Sequence, residues 1–331
     1  MNRRDLLAAG LASAWASGRA WGAPPAAFED QTWQDPARQR ELPVRVRWPA
    51  GDGPCGLVIH SHGLGGSRAG GAVWGEAWQA AGLAALHLQH PGSDSSIWQS
   101  GLRGARQAAG AEQYLARIAD AHFAIDEVLR RQAAGGAWAR LRGDAIGFSG
   151  HSFGARLTQA VAGERPARTG RSASVARIAD PRPRAFIAFS PGFNERDGLD
   201  DAAMAARFGA IARPFLAITG TDDDAMIVGD ASNAARRAVY RGLPAGQKAQ
   251  LVLAGADHMT FGGGTGMAEA REGGRRLRRG PQAAALQSLH QRVVAGVSAD
   301  WWRWHLLGDA SAKERLRAPA GLAAGDLWEL G

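Results

Sequence analysis

The pentapeptide Gly150–Gly154 constrains the fold of this chain more than any other stretch. It reads G-H-S-F-G and follows Asp144–Phe148, a short run that is typical of a buried parallel strand ending in a turn. Glycines two residues either side of a serine indicate a sharp strand-to-helix turn, because neighbouring chain can pass close to the strained serine only where side chains are absent. Since the chain has 45 glycines, the pattern alone is weak evidence, and the surrounding sequence has to support it.

Two later strands supply the partners that a reactive serine needs. The apolar run Pro214–Thr219 predicts a strand, and three neighbouring aspartates follow it at 222–224. Leu251–Leu253 predicts the next strand, and His258 lies in the loop after it. The chain order serine, acid, histidine on separate strand ends is the order found in α/β-hydrolases. We therefore predict that Ser152 is a nucleophile activated by His258.

The identity of the acid stays open between neighbouring aspartates. The spacing G-x-x-D after the strand selects Asp223 as the partner of His258. Asp222 and Asp224 remain alternatives, whereas Asp257 is less suited because it directly precedes the histidine. Like charges this close raise one another's pKa, but we expect the ordered partner of the histidine to stay ionised through its hydrogen bonds.

Acyl chemistry also requires hydrogen-bond donors for the negative charge that develops on the carbonyl oxygen. The apolar run Gly56–Ser61 predicts an early strand, and the glycine-rich loop His62–Gly66 follows it. The expected donors are the backbone N–H groups of Leu64, in this loop, and of Phe153, directly after the serine. These two amides form the predicted oxyanion hole.

Alternating short apolar strands and helical stretches predict an α/β fold with a mostly parallel, doubly wound sheet and helices on both faces. We expect no large cap domain, because the arginine-rich connection at 163–184 is too short for a helical one. The alternating pattern of Leu42–Arg47 is typical of an antiparallel edge strand. Residues 104–131 approach a 3.6-residue period and predict one long helix. The other predicted elements are strands over 83–88 and 185–189, a helix around 74–81, and a final helix that contains residues 286–307.

The first residues resemble an export signal. A paired arginine precedes the apolar stretch Leu6–Ala16, and Ala20–Gly22 offers a small-residue cleavage site. We predict a signal peptide over residues 1–22, of the twin-arginine type with a Sec signal as the alternative, and a single domain over 23–331. The mature protein is then expected in the periplasm or outside the cell. No later run of about 20 apolar residues predicts a membrane span.

Charge and cysteine content exclude several classes of protein. The formal net charge of +8 comes almost wholly from arginine, but no nucleic-acid recognition module accompanies it, so we expect no nucleic-acid partner. Cys55 is the only cysteine, which excludes an intramolecular disulfide and, since Ser152 holds the turn position, argues against a cysteine nucleophile. Four histidines near strand ends lack a metal-binding spacing, and we expect neither a metal nor a cofactor. The sequence leaves the oligomeric state open.

Four segments together resemble the bacterial α/β-hydrolases called dienelactone-hydrolase-like, which are related to platelet-activating-factor acetylhydrolases. These segments are Asp35–Val44, Ser61–Arg68, Gln89–Asp94 and Gly150–Gly154. The resemblance runs from about residue 30 to the final helix. It implies a carboxylic-ester hydrolase that acts on a small-molecule or lipid-like ester. In the acetylhydrolases the acid follows the strand after the serine, whereas here that strand ends Phe189–Gly192 without an aspartate, so their specificity does not carry over.

Two function classes therefore remain open. The first is an ester hydrolase with the triad Ser152, Asp223 and His258. The alternative is a hydrolase-fold protein that binds a lipid, a polymer or a cell-envelope component without efficient turnover. We interpret the arginine-rich stretch 262–281 as a solvated loop, with a flap over the substrate as the alternative. The tryptophans near 301–304 are interpreted as part of the buried face of the final helix, with a lipid-facing or dimer patch as the alternative.

Overall fold

A computed structural model gives the architecture of most of the chain. The described residues are 27–165, 178–193, 195, 198–224, 231–264, 279 and 281–331. The signal peptide predicted over 1–22 lies outside them, as do most of the two arginine-rich stretches at 163–184 and 262–281. None of the helices within these ranges combines the length and apolar character that crossing a membrane requires.

The described strands join in one mixed, mostly parallel sheet. They are β1 Glu29–Asp35, β2 Arg40–Arg47, β3 Cys55–Ser61, β4 Ala84–Leu88, β5 Leu141–His151, β6 Ala185–Phe189, β7 Phe215–Asp222, β8 Lys248–Asp257 and β9 Leu327–Leu330. Their spatial order is β1-β2-β4-β3-β5-β6-β7-β8-β9. The pairs β1–β2, β2–β4 and β8–β9 are antiparallel, and the five pairs from β4 to β8 are parallel.

Helices of the described chain cover both faces of this sheet. They are α1 Ala72–Ala80, α2 Gly101–Ala108, α3 Ala111–Ala134, α4 Phe153–Ala162, α5 Asp201–Phe208, α6 Asn233–Gly242, α7 Pro281–Leu307 and α8 Ala310–Arg315. On β3, Leu57 and Ile59 pack in the apolar layer that includes α3 and α4, whereas Val58 packs in the layer that includes α1 and α7. Because successive strand side chains point to opposite faces, this division confirms the predicted doubly wound arrangement.

Two predictions about local structure are wrong. The single helix expected over 104–131 is two helices, α2 and α3, because the backbone at Gly110 is extended, with φ −75° and ψ 170°. Leu42–Arg47 lies in β2, which is not an edge strand, since β1 pairs with it on the outer side. The strand β1 escaped prediction because only Trp33 in it is apolar.

The parallel strands bring the predicted site residues to one edge of the sheet. Ser152 follows β5, Asp223 follows β7 and His258 follows β8. The loop that contains Leu64 follows β3, which is the neighbour of β5. Since parallel strands have their carboxyl ends at the same edge, all four segments lie at one edge of the sheet, which is the edge where ligands of open α/β sheets bind.

Packing of α7 against the sheet generates a stability prediction. Trp302 is fully buried, its ring lies 6.0 Å from that of Trp78, and it fills the space beside Gly147. We expect Trp302→Ala to lower the free energy of unfolding by about 3–5 kcal/mol, because the large cavity cannot fully collapse. Urea unfolding followed by circular dichroism measures the loss. Leu115→Ala is the control, since that side chain is 57% exposed, and it should change stability by less than about 0.5 kcal/mol. Equal effects of the two variants would contradict the prediction.

Candidate active site

Ser152 occupies the turn between β5 and α4 in a strained backbone conformation. Its φ of 55° and ψ of −110° lie outside the regions that residues with a side chain favour. The Ser152 N–H donates a hydrogen bond of 2.9 Å to the carbonyl of Phe189, which ties the turn to the end of β6. Strain of this kind persists only where the surrounding structure enforces it, and it is concentrated at functional positions.

Close backbone packing explains both glycines of the G-H-S-F-G motif. A Cβ atom on Gly150 would lie well within 3.0 Å of the Gly154 carbonyl, and one on Gly154 would lie as close to the Ser61 carbonyl. Neither position therefore accepts a side chain. The glycines allow α4 to begin directly against β3, which is the reason that the sequence pattern required them.

A buried hydrogen bond joins the predicted histidine to an aspartate. His258 Nδ1 lies 2.7 Å from Asp223 Oδ1, and the two residues are 6% and 0% exposed. The Thr219 hydroxyl donates to Asp223 Oδ2 at 2.8 Å, and Arg236 Nε lies 3.0 Å from Oδ1. Both carboxylate oxygens thus have donors, which fixes the orientation of the carboxylate towards the imidazole.

The other aspartates named by the sequence do not make this contact. Asp222 and Asp224 are exposed at the surface. Asp257 forms an ion pair of 2.8 Å with an arginine and caps the turn that follows it. Of these four aspartates, Asp223 is the one whose carboxylate touches the imidazole of His258.

Electrostatics keep Asp223 ionised. Burial raises its pKa, but the nearby charges and hydrogen bonds of His258 and Arg236 outweigh burial and lower the pKa from 3.8 to about 2. At neutral pH the carboxylate accepts a hydrogen bond and does not donate one. The Nδ1 atom of His258 therefore carries a proton, which leaves Nε2 as the acceptor when the imidazole is neutral.

His151 links the serine turn to the histidine loop. It directly precedes Ser152, and its ring centroid lies 4.7 Å from that of His258. Its Nε2 also lies 3.1 Å from the His258 carbonyl oxygen, to which it donates. Burial lowers the pKa of His151 to about 3, so its imidazole is neutral. This contact holds the two loops together across the strand ends.

The two predicted oxyanion donors have free N–H groups. A Cβ atom on Gly63 would lie 3.5 Å from the Ser152 Cβ, so the loop before Leu64 runs beside the serine. Phe153 is the first residue of α4, and such N–H groups have no partner within their own helix. Across the described ranges, neither the Leu64 nor the Phe153 amide has a protein acceptor. Unpaired donors beside a serine are suited to binding a carbonyl oxygen.

The four histidines singled out in the sequence belong to the interior. His60 and His87 are buried with ring centroids 5.3 Å apart, and burial lowers the pKa of both, that of His87 to about 3. His62, in the loop after β3, and His90, just after β4, are likewise buried. Among the residues that the structure describes, no group of three or more His, Cys, Asp or Glu side chains is arranged to hold a metal ion.

Sequence reasoning missed three residues that shape this site. Thr219 lies in β7, four positions before Asp223, which follows that strand. A hydroxyl so close to the acid in the sequence could have indicated their hydrogen bond. His151 lies inside the serine motif, but its contact with the histidine loop depends on the fold. Arg236 lies on α6, and no periodicity or spacing connects it to Asp223.

Comparison with known proteins identifies the fold. The chain is similar to the structure of a dienelactone hydrolase from Anabaena variabilis, with a TM-score of 0.50 and 18% identity over 84% of this chain and 99% of that chain. It also overlaps a 2,6-dihydroxy-pseudo-oxynicotine hydrolase, with a TM-score of 0.49 and 18% identity over 86% of this chain and 69% of that chain. No protein-family model and no curated protein matches the sequence. The chain has the α/β-hydrolase fold.

The lowered pKa of Asp223 generates a prediction about stability at acid pH. Ionised Asp223 stabilises the folded state above its unfolded pKa of 3.8, and this contribution is lost as the pH falls towards about 2. The stability difference between the parent protein and Asp223→Asn should therefore shrink by about 1.5 kcal/mol between pH 5 and pH 2.5. Urea unfolding across this range measures the difference. Asp222→Asn makes the same change at an exposed neighbour and should show no such trend; a difference for Asp223→Asn that is constant with pH would refute the assignment.

Proposed function

We propose that this protein is a serine hydrolase that cleaves small-molecule or lipid-like carboxylic esters through an acyl-enzyme intermediate. One observation carries the proposal: the strained serine beside two free amides shares a sheet edge with the buried Asp223–His258 hydrogen bond. His151 connects the two halves of this arrangement. The chemistry needs only these groups and water.

In the first half of the proposed reaction, Ser152 Oγ attacks the carbonyl carbon of the ester. His258 Nε2 accepts the hydroxyl proton as the new bond forms. Asp223 fixes the required tautomer through Nδ1 and stabilises the imidazolium. The amides of Leu64 and Phe153 donate to the oxyanion. The tetrahedral intermediate then expels the alcohol, which takes the proton from His258.

In the second half, water replaces the alcohol. His258 accepts a proton from the water molecule as its oxygen attacks the acyl carbon. The second tetrahedral intermediate collapses with cleavage of the bond to Ser152 Oγ, which recovers a proton from His258. The products are the carboxylic acid and the regenerated enzyme.

Backbone strain at Ser152 favours catalysis over simple binding. The fold alone does not decide between them, because the same scaffold supports many functions. A positive φ at a residue with a side chain costs about 1–3 kcal/mol, however, and such strain is concentrated at functional positions, which include active sites and ligand clamps. A nucleophile gains exposure of its Oγ at the sheet edge and proximity to the N-terminus of α4.

Covalent labelling tests the nucleophile. We expect Ser152→Ala to lower turnover of p-nitrophenyl acetate by at least about 10³-fold, because the acyl-enzyme cannot form. A fluorophosphonate probe should label the parent protein and not this variant, with circular dichroism confirming that both are folded. Ser149→Ala, in the same strand, is the matched control and should still be labelled. A parent protein that neither reacts with the probe nor hydrolyses esters would favour the alternative of a binding protein.

Substitution of the aspartates tests the acid. Asp223→Asn should lower kcat by about 10⁴-fold, because the amide cannot enforce the histidine tautomer. Asp222→Asn and Asp224→Asn remove the same charge at neighbouring exposed positions and should stay within about threefold of the parent protein. Steady-state kinetics on one ester at pH 7.5 measures all three variants. Similar small losses at all three positions would disprove the role of Asp223.

A further inference from the structure

Arg117 is a fully buried cation of α3 that contacts the loop after β3. Its Nη1 donates to the His62 carbonyl at 2.6 Å, and its Nη2 donates to the Gly63 carbonyl at 3.3 Å. Its Nε donates to Ser93 Oγ at 2.8 Å, and Nη2 also donates to the Ser93 carbonyl at 3.1 Å. The guanidinium thus ties α3 to two loops at the carboxyl edge of the sheet.

The acceptors of Arg117 are neutral, unlike those of two other buried arginines. Arg207 lies 2.8 Å from a carboxylate oxygen of Glu164, and Arg236 lies 3.0 Å from Asp223. For Arg117, no carboxylate oxygen of the described chain comes within 4.0 Å. Burial lowers the pKa of Arg117 to about 9 and outweighs Asp120 and Asp94, which stabilise its charge from a greater distance. Because no ion pair within 4.0 Å neutralises the guanidinium, its positive charge can stabilise a negative charge that forms nearby.

The hydrogen bonds to the Gly63 carbonyl set the direction of the Leu64 N–H. The two groups belong to one planar trans peptide unit and therefore point in opposite directions. The same carbonyl accepts from His62 Nδ1 at 2.6 Å and from the Gly66 amide at 3.2 Å. Three donors on the oxygen fix the plane of the peptide. They also polarise it, which makes the Leu64 N–H a stronger donor.

Arg117 also contacts the residue that carries the second amide. Its guanidinium carbon lies 4.5 Å from the centroid of the Phe153 ring, a distance typical of a cation–π contact. The Tyr114 ring, one turn earlier on α3, lies 5.8 Å from the Phe153 ring. A single side chain therefore touches both the Gly63–Leu64 peptide and Phe153.

We propose that Arg117 is a positioning residue for the oxyanion site, where it holds the Leu64 and Phe153 amides in place and supplies a buried positive charge behind them. This inference rests on the proposed ester hydrolysis. The benefit goes to the anionic tetrahedral state, since the ester itself is neutral. Arg117 should accordingly affect kcat and the binding of anionic tetrahedral ligands, and should leave the KM of a neutral ester almost unchanged.

The test compares kinetics with the binding of a boronic acid, which forms an anionic tetrahedral adduct on a reactive serine. We expect Arg117→Met to lower kcat for p-nitrophenyl acetate by about 10²-fold, with KM within about threefold of the parent value. Inhibition by phenylboronic acid should weaken by a similar factor. Arg117→Lys keeps the charge without the fork of donors and should recover part of the loss.

Arg207→Met is the matched control. It also removes a buried arginine that lies over an aromatic ring, 4.9 Å from the Phe193 centroid, but Arg207 contacts neither oxyanion amide. The folded control protein should keep the parent kcat and the parent affinity for phenylboronic acid, although its stability falls. An equal loss of kcat in both methionine variants would show a general packing effect and would overturn the inference.

Several results distinguish failure of this inference from failure of the proposed function. A parent protein without esterase activity or fluorophosphonate labelling refutes the function itself. An active parent with unchanged kcat and boronate inhibition in Arg117→Met refutes only the role of Arg117. If both Arg117 variants fail to fold, Ser93→Ala removes the acceptor of Nε and should lower kcat roughly three- to tenfold at constant KM. Unchanged kcat in that variant overturns the inference.

Discussion

The geometry of the candidate site depends on close backbone packing at two glycines, where no side chain would fit. At Gly154 the start of α4 lies against the Ser61 carbonyl at the end of β3, and at Gly150 the end of β5 lies against α4. This contact forces the chain to reverse at Ser152 and holds the positive φ there. It also brings the loop after β3, with its free amide, beside the serine. The positions of the proposed nucleophile and of the proposed oxyanion donors therefore follow from one steric constraint rather than from separate features.

Much of the fold could be predicted because its central strands are buried on both faces. Runs such as Leu57–Ile59 and Ala185–Phe189 are continuously apolar, and that pattern survives without knowledge of their neighbours. The outer strands were not predictable in this way. In β1 only Trp33 is apolar, and β9 is a four-residue strand near the end of the described chain. The structure of these two strands therefore depends on their pairing with β2 and β8. The break at Gly110 was missed because the apolar positions that indicate the helix all lie after it, from Tyr114 to Leu129.

The residues of the candidate site likewise fall into two groups, those that a short motif predicts and those that no sequence pattern predicts. Ser152, Phe153 and His258 follow strands within short motifs, so their spacing carries the information. Arg117 and Arg236 come from helices on other parts of the chain, and their partners are carbonyl and carboxylate oxygens rather than a sequence pattern. A buried arginine looks like any surface arginine until its burial is known. The sequence therefore could not reveal which charged side chains are buried behind the proposed catalytic groups.

The contact between His151 and His258 has a consequence for proton transfer in the proposed mechanism. The imidazoles of His151 and His258 lie side by side. In the proposed mechanism, a second efficient base there would compete with His258 for the serine proton. Burial makes His151 a weak base, and its Nε2 proton is already engaged with the His258 carbonyl. In the proposed mechanism, the neighbouring ring therefore supports the histidine loop without accepting the serine proton, and proton transfer between the serine and the leaving group involves His258 alone.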